Sequence, residues 1–165
     1  MKKFLFLLCL LISISACNNN PGNGFVNDSD LEFYIGSNSS VELFKVFDSA
    51  WKNLDYKLMK SMIADSISFE FYDGKTANSA EEFIDIIKGD VAKRTAQGNN
   101  YTWTTDYAFS VDLTPSKEGE WVNAGFTSIL DNPQDSIDKT VYNDWYFFNN
   151  GKLELWYQAI RELKE

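Results

Sequence analysis

Apolar residues recur along the chain with the two periods that distinguish helices from strands. Over residues 39–54 they recur every three or four positions, as on one face of a helix, and they do so again from Asp55 and from Ser79 to Gly98. Ser39 and Ser79 are each followed three residues later by a glutamate, which is the capping box expected where a helix starts. The pattern therefore predicts three helices, beginning at Ser39, Asp55 and Ser79.

Alternating apolar and polar residues mark the strands. The alternation covers residues 67–72, before an Asp73-Gly74 turn, and it returns in four longer segments that are rich in aromatic residues, at 101–113, 121–130, 141–148 and 153–161. Asn150-Gly151 joins the last two segments and is the preferred pair of a type I′ hairpin turn, so these strands are predicted to be antiparallel neighbours. Helices followed by an antiparallel meander predict an α+β domain, with helices packed on one face of a curved antiparallel sheet.

The first 16 residues have the pattern of a secretory signal. Lys2 and Lys3 precede an apolar run over residues 4–12, which is too short to span a membrane as a helix. The Ile14-Ser15-Ala16-Cys17 ending resembles the lipobox of bacterial lipoproteins. This resemblance implies cleavage before Cys17 and attachment to a membrane through acyl chains such as palmitate on that cysteine.

The segment after Cys17 is expected to be a tether. Residue 18 is Asn rather than Asp, which in the sorting rule of these lipoproteins indicates the outer membrane, on a face that the sequence does not identify. Residues 17–38 are rich in Asn, Gly, Ser and Asp and are predicted to form a flexible linker. An apolar patch at Leu31, Phe33, Tyr34 and Ile35 is expected to dock on the domain as a short extra strand. The predicted division is thus signal 1–16, tether 17–38 and domain 39–165.

Composition excludes several classes of function. The chain has 15 Lys+Arg against 24 Asp+Glu, and its net charge of −9 argues against a nucleic-acid partner. It has no histidine, which excludes imidazole bases and histidine-ligated metals. Loss of Cys9 with the signal and acylation of Cys17 would leave no thiol for a disulfide, a metal or a nucleophile. No metal or other cofactor is predicted.

Two segments resemble the SnoaL-like, NTF2-like domains. The stretch Phe-Asp-Ser-Ala-Trp-Lys-Asn-Leu-Asp at 47–55 is similar to the first helix of that family and the turn after it, and Trp-Tyr-Phe-Phe-Asn-Asn-Gly-Lys-Leu at 145–153 is similar to its penultimate hairpin. The resemblance covers about residues 40 to 162. It implies a cone-shaped domain with a pocket between the concave sheet and the helices, on a scaffold that hosts isomerases, hydratases, cyclases and binding proteins.

The resemblance also indicates where catalytic residues would lie. In the ketosteroid isomerase branch, a tyrosine of the first helix and a buried carboxylic acid of the penultimate strand bind a developing oxyanion, while an aspartate of the first strand moves the proton. Counted from the shared motifs, these positions fall on Phe47, Asn143 and Phe71, which cannot perform that chemistry. The aspartate-histidine arrangements of the cyclase branch are excluded by the missing histidine. No catalytic residue is therefore predicted.

A ligand pocket is the remaining prediction for these positions. Aromatic walls with a few polar groups are typical of small-molecule pockets, and Asn143 and Tyr157 would supply the polar contacts. The predicted lining is Phe47, Trp51, Phe71, Trp103, Asn143, Trp145 and Tyr157. In the alternative interpretation, the rings only fill the core.

Three carboxylates are candidates for proton transfer. Glu70 is expected to point to solvent, because its apolar neighbours take the inward face of the strand. Asp144 is expected to face away from the pocket if Asn143 faces into it. Asp48 lies beside the apolar stripe of the first helix, where it could line the pocket rim.

The leading prediction is a lipid-anchored protein of the cell envelope that binds a small apolar or amphipathic molecule, or a protein partner, without catalysis. One alternative is an isomerase or dehydratase that uses one of the three carboxylates. The other is a structural module, with a homodimer formed through the open face of the sheet. The enzyme alternative requires a carboxylate in an enclosed cavity that solvent can reach, and the binding function requires a cavity of a few hundred Å³.

Overall fold

Three helices cover one face of a seven-stranded sheet in the computed structural model, which describes residues 22, 24–25, 32–114, 117–131 and 137–162. The helices are α1 (Asn38–Lys52), α2 (Tyr56–Met62) and α3 (Ala80–Ala96). The strands are β1 (Tyr34–Ile35), β2 (Ile63–Glu70), β3 (Thr76–Ala77), β4 (Asn100–Asp112), β5 (Glu120–Asp131), β6 (Ile137–Asn149) and β7 (Lys152–Glu162). The predicted α+β class is confirmed. The predicted signal, Cys17 and most of the tether lie outside the described residues.

The sheet is mixed rather than purely antiparallel. Its order is β1-β4-β5-β6-β7-β2-β3. Strands β4 to β7 form the predicted meander, and the β6–β7 turn has positive φ at both Asn150 (48°) and Gly151 (76°), as a type I′ turn requires. Strand β2, however, runs parallel to β7. The chain between these two strands runs through β3, α3 and strands β4 to β6, and a connection of this length is what a parallel pair needs.

Helix α1 begins at a different serine from the one predicted. Its N-cap is Ser37, whose side chain accepts a hydrogen bond from the Ser40 N–H (3.4 Å), and Glu42 forms an ion pair with Lys45 (2.7 Å). The reason is a tertiary contact: the Glu120 carboxylate accepts hydrogen bonds from the Ser37 N–H (2.8 Å) and from the hydroxyls of Ser37 and Ser40 (both 2.6 Å). Burial raises the pKa of Glu120, but these hydrogen bonds outweigh it and hold the pKa below its usual value.

The other two predicted local features are confirmed. Ser79 caps α3 by accepting the Glu82 N–H (3.2 Å), while the Glu82 carboxylate accepts the Asn78 N–H (2.8 Å). Tyr34 and Ile35 pair with the end of β4 as the extra strand β1. Leu31, the first residue of that apolar patch, lies outside the described residues.

Aromatic side chains fill the space between the helices and the sheet. Phe47 of α1 is 0% exposed and contacts the rings of Trp51, Phe83 and Tyr146. Phe83 of α3 in turn meets Trp156 of β7 edge to face, with ring centres 5.6 Å apart. The core therefore ties both long helices to the middle of the sheet and fixes the walls of the cleft that opens beside it.

Candidate functional site

A cleft of about 610 Å³ opens between the helices and the inner face of the sheet. Its floor is formed by strands β4 to β7 and its walls by α1, α3 and the loop after β2. The side chains that line it include Asp48, Trp51, Lys52, Phe71, Tyr72, Asp73, Lys75, Ile87, Asp90, Val91, Lys93, Arg94, Tyr101, Trp103, Phe126, Tyr142, Asp144, Tyr146 and Gln158. A smaller depression of about 300 Å³ lies beside α1 and α2, away from this floor. Only the larger cleft has a buried charged side chain in its lining.

The predicted lining residues are divided between the two faces of the sheet. Trp51, Phe71 and Trp103 line the cleft, while Phe47 packs in the core behind it. Three more predicted positions require correction, because they lie on the outer face of the sheet, away from the helices: Asn143, Trp145 and Tyr157. Whether the three cleft residues contact a ligand stays a prediction.

A β-bulge explains why Tyr157 lies on the outer face of the sheet. The pairing of β6 with β7 shifts after Phe147, so that Glu154 has no opposite residue. Leu153 and Trp156 are both buried although they are three positions apart. Alternation counted from Leu153 would place Tyr157 inward, but the extra residue turns it outward.

The inward residue of β6 is Asp144 rather than Asn143. Alternation is uninterrupted in this strand, and a shift of one residue exchanges its two faces. Asp144 pairs with Ala124 of β5 and with Gln158 of β7 on the inner face. The expectation that Asp144 faces away from the pocket is therefore wrong. Residues on both faces of β6 are largely aromatic, so the hydrophobic pattern does not show which face is inward. Counting from the shared motifs therefore selects Asn143 instead of Asp144.

Asp144 is the most unusual polar group of the cleft. Its side chain is buried, with 3% exposure, and Oδ2 accepts hydrogen bonds from Tyr146 Oη (3.3 Å), Trp156 Nε1 (3.2 Å) and Gln158 Nε2 (3.4 Å). Oδ1 has no hydrogen-bond partner among the described residues. Burial raises the pKa of Asp144 to about 7 against the lowering effect of the three donors, and the charge of Asp48 raises it further. Both protonation states are thus populated near neutral pH.

The other two candidate carboxylates are located as predicted. Asp48 lines the cleft, where Oδ1 accepts the Trp103 indole N–H (2.9 Å) and Oδ2 accepts hydrogen bonds from Thr105 (2.8 Å) and Lys52 (2.8 Å). This network ties α1 to β4. Glu70 is exposed at the end of β2 and does not line the cleft.

Ion pairs satisfy the remaining acids of the cleft. Lys75 lies between Asp73 (2.9 Å) and Asp90 (3.6 Å). The guanidinium of Arg94 stacks over the ring of Tyr101 at 4.5 Å. Asp144 is consequently the one acid of the cleft lining that has no basic partner within the described part of the chain.

Comparisons with known proteins concern the fold. No protein-family model matches the sequence, and no curated protein does. An NTF2-like protein from Burkholderia xenovorans LB400 superposes with a TM-score of 0.52 and 11% identity, over 78% of this chain and 93% of that one. An LEH-like epoxide hydrolase of M. tuberculosis gives 0.56 and 13%, over 76% and 84%. The chain has the NTF2-like fold.

A third NTF2-like structure contains a bound molecule. It is a protein with a ketosteroid isomerase-like fold from Catenulispora acidiphila DSM 44928, in complex with trimethylamine, with a TM-score of 0.52, 13% identity, and coverage of 72% of this chain and 84% of that one. Likeness at such low identity establishes the fold of this chain. Among the described residues, no helix is long and apolar enough to cross a membrane, and no three acidic or cysteine side chains converge as a metal site would require.

Proposed function

We propose that this NTF2-like domain binds a small, largely apolar molecule in its cleft, with Asp144 as the polar contact. The observation that carries the proposal is the free Oδ1 atom of a carboxyl group that is only 3% exposed, in the lining of a cleft of about 610 Å³. A buried polar atom without a partner is costly in a folded protein, and a ligand group that pairs with it would remove the cost. The cleft volume lies within the range typical of small-molecule sites.

The walls favour an apolar or aromatic ligand body. Trp51, Phe71 and Trp103 present ring surface to the cleft, and Ile87 and Val91 extend the apolar wall along α3. Phe47 and Phe71, at the positions where the resemblance places the tyrosine and the base of an isomerase, offer no proton-transfer group. The leading form of the proposal is therefore binding without catalysis.

A cleft-filling variant tests this proposal. Val91→Trp would place an indole in the cleft, and it should weaken binding of the displaceable fluorescent probe 1-aminoanthracene at least tenfold. Val46→Trp is the matched control, because Val46 lies on α1 outside the cleft and is 46% exposed. If both variants bind the probe as tightly as the wild type, the cleft is not the binding site.

A second candidate function is proton transfer by Asp144. A carboxyl group with a pKa of about 7 is populated as both acid and base near neutral pH, which favours general acid-base catalysis. Because an epoxide hydrolase shares the fold, styrene oxide is a suitable first substrate, with diol formation as the readout. Activity that Asp144→Asn abolishes and Glu70→Gln retains would support the enzyme; absence of turnover by the wild-type protein would leave the binding function.

We further propose that the domain is held at the outer membrane by a lipid on Cys17. The support is the lipobox-like ending at residues 14–17 and the Asn that follows. Mass spectrometry of the membrane fraction should find Cys17 acylated, and Cys17→Ser should move the protein to the soluble fraction. Retention of that variant on the membrane would contradict the anchor.

A further inference from the structure

We infer that the ligand of the cleft is a small organic cation, an ammonium group that pairs with the carboxylate of Asp144 between aromatic rings. This inference rests on the proposed function, because it concerns the same cleft, and it specifies the charge of the ligand. The experiment described below separates failure of the charge assignment from failure of the binding proposal.

The first argument is the distribution of charge in the cleft. The charged groups of the lining come from α1, from the loop after β2, from α3 and from β6: Asp48, Lys52, Asp73, Lys75, Asp90, Lys93, Arg94 and Asp144. Lys52 pairs with Asp48, and Lys75 with Asp73 and Asp90. Asp144 alone among the acids lacks a basic partner in the described lining. When it is ionised, a cation from outside the chain would supply the pairing that a buried charge requires.

The second argument is the arrangement of donors around Asp144. A hydroxyl, an indole N–H and an amide N–H all point at Oδ2, from Tyr146, Trp156 and Gln158. Donors of this kind favour the charged form of a carboxyl group. They occupy one oxygen and leave the other, which is also buried, without a partner among the described residues.

The third argument is the aromatic surface of the cleft that contains the carboxyl group. Trp51 and Trp103 meet at 76° with ring centres 6.4 Å apart, and Phe71 meets Trp156, which donates to Asp144, at 83° and 4.8 Å. The Lys52 ammonium lies 5.7 Å from the centre of the Trp103 ring, so a ring of this cleft already attracts a cation. Ring faces attract ammonium groups, more strongly where water is excluded. Rings alone would also accept a neutral hydrocarbon, so it is their combination with an unpaired carboxylate that indicates a cation. The net charge of −9 would also favour the approach of cations to the protein.

A neutral ligand predicts the opposite dependence on pH. A carbonyl or ether oxygen would accept a hydrogen bond from protonated Asp144, so its affinity would fall as pH rises through 7. A permanent cation binds the ionised form and gains affinity over the same range. Of the titratable groups that act on Asp144, Tyr142 and Tyr146 have pKa values raised above the usual tyrosine range by burial, so they stay neutral throughout. Asp48 forms an ion pair with Lys52.

Choline and its neutral isostere 3,3-dimethylbutan-1-ol are the probes that separate these cases. They share a shape and differ by one charge, and choline has no group that titrates. Calorimetric titration should show choline binding about tenfold more tightly at pH 8 than at pH 6, with release of protons, because the ionised fraction of Asp144 changes by about that factor. Under the same conditions, the affinity of the alcohol should be lower than that of choline at pH 8.

Asp144→Asn keeps the shape of the side chain and removes its charge. Choline affinity at pH 8 should fall on the order of a hundredfold, and its dependence on pH should disappear. Glu70→Gln, which removes an exposed carboxylate outside the cleft, should change neither. The comparison of the two probes on the wild-type protein needs no variant, so it remains decisive if Asp144→Asn fails to fold.

Two outcomes would overturn the inference. Equal affinity for the two probes, or an affinity for choline that does not rise with pH, would exclude the cation while leaving the binding proposal intact. No binding of choline at 10 mM would exclude it as well, and the effect of Val91→Trp on 1-aminoanthracene binding would then decide the binding proposal separately.

Discussion

The inner and outer faces of strands β4 to β7 are built from the same kinds of residue and differ in what covers them. Strand β6 alternates Tyr142, Asp144, Tyr146 and Phe148 on the inner face with Asn143, Trp145 and Phe147 on the outer face. Helices α1 and α3 cover the inner face. Among the described residues, the outer face is partly open to solvent, with Tyr107 48% and Phe109 49% exposed.

The neighbouring residues Asn143 and Asp144, on opposite faces of β6, differ in how many of their polar atoms have partners among the described residues. On the outer face, Asn143 donates to the hydroxyl of Tyr107 (2.7 Å) and exchanges hydrogen bonds with Asn123 (3.1 and 3.2 Å). On the inner face, Asp144 keeps one oxygen without a partner. Aromatic content alone therefore does not distinguish the two faces. The binding proposal rests instead on the buried carboxylate, one oxygen of which has no partner among the described residues.

The largest expected difference is in the free energy of unfolding, when one aromatic ring is truncated on each face. Phe47→Ala removes a fully buried ring on the inner side and should lower the free energy of unfolding by about 3–5 kcal/mol. Phe109→Ala removes a half-exposed ring from the outer face and should lower it by less than about 1 kcal/mol. Urea denaturation measures both. Equal losses would mean that the outer face is buried in solution, as in a dimer.

The raised pKa of Asp144 should make the stability of the protein depend on pH. Its pKa is about 7 in the folded protein against an ordinary value of 3.8 for an aspartate, so the folded state binds the proton more tightly than the unfolded state does. Stability should be greatest near pH 4, fall by about 2–4 kcal/mol as pH rises to 7, and level off above it.

Asp144→Asn should flatten this profile and make the protein more stable than the wild type at pH 8. Glu70→Gln is the control, since an exposed carboxylate should leave the slope unchanged. The same decline with pH in wild type and Asp144→Asn would show that other groups are responsible.

The homodimer predicted from the sequence stays a prediction, and the outer face is where it would form. Trp121 contacts the rings of Trp145, Phe147 and Tyr157, and these aromatic neighbours form an uncharged patch on the outer face, whereas Lys139 and Arg161 lie farther along the same face. Sedimentation velocity of the wild type should give the mass of two chains. The Trp121→Asp variant should sediment with the mass of one chain. Its free energy of unfolding should differ from that of the wild-type monomer by about 1 kcal/mol or less. A wild-type monomer at 100 µM would exclude this interface.

The smallest expected effect is a local change on the outer face. Gly125 lies under the ring of Tyr107, and an added Cβ atom would come within 2.3 Å of that ring. Gly125→Ala should therefore displace Tyr107 and break its hydrogen bond with Asn143, at a cost of about 1 kcal/mol. Choline binding should not change, because this contact lies on the other side of the sheet from the cleft. A loss of binding would show that the two faces are coupled.

Local patterns were sufficient to predict the helices, the strands and the final hairpin. Helical periodicity located α1, α2 and α3, and Asn150-Gly151 located the β6–β7 turn. Caps that depend on neighbouring residues were predictable too, as at Ser79. The start of α1 was not, because Glu120 is 80 or more positions away along the chain and its contact with Ser37 favours that serine as the cap.

The helices and strands of this domain, its acidic charge and the absence of histidine chemistry can be read from the chain alone, because they follow from composition and from contacts between near neighbours. Tertiary packing was needed to show which face of β6 the helices cover and that a bulge at Glu154 turns Tyr157 outward. It also showed that Asp144 is buried, with one oxygen that has no partner among the described residues. Both faces of the sheet are aromatic, so hydrophobic alternation predicts a strand but does not show which of its two faces is buried. The packing of α1 and α3 on one face makes that face the inner one and places the candidate site there.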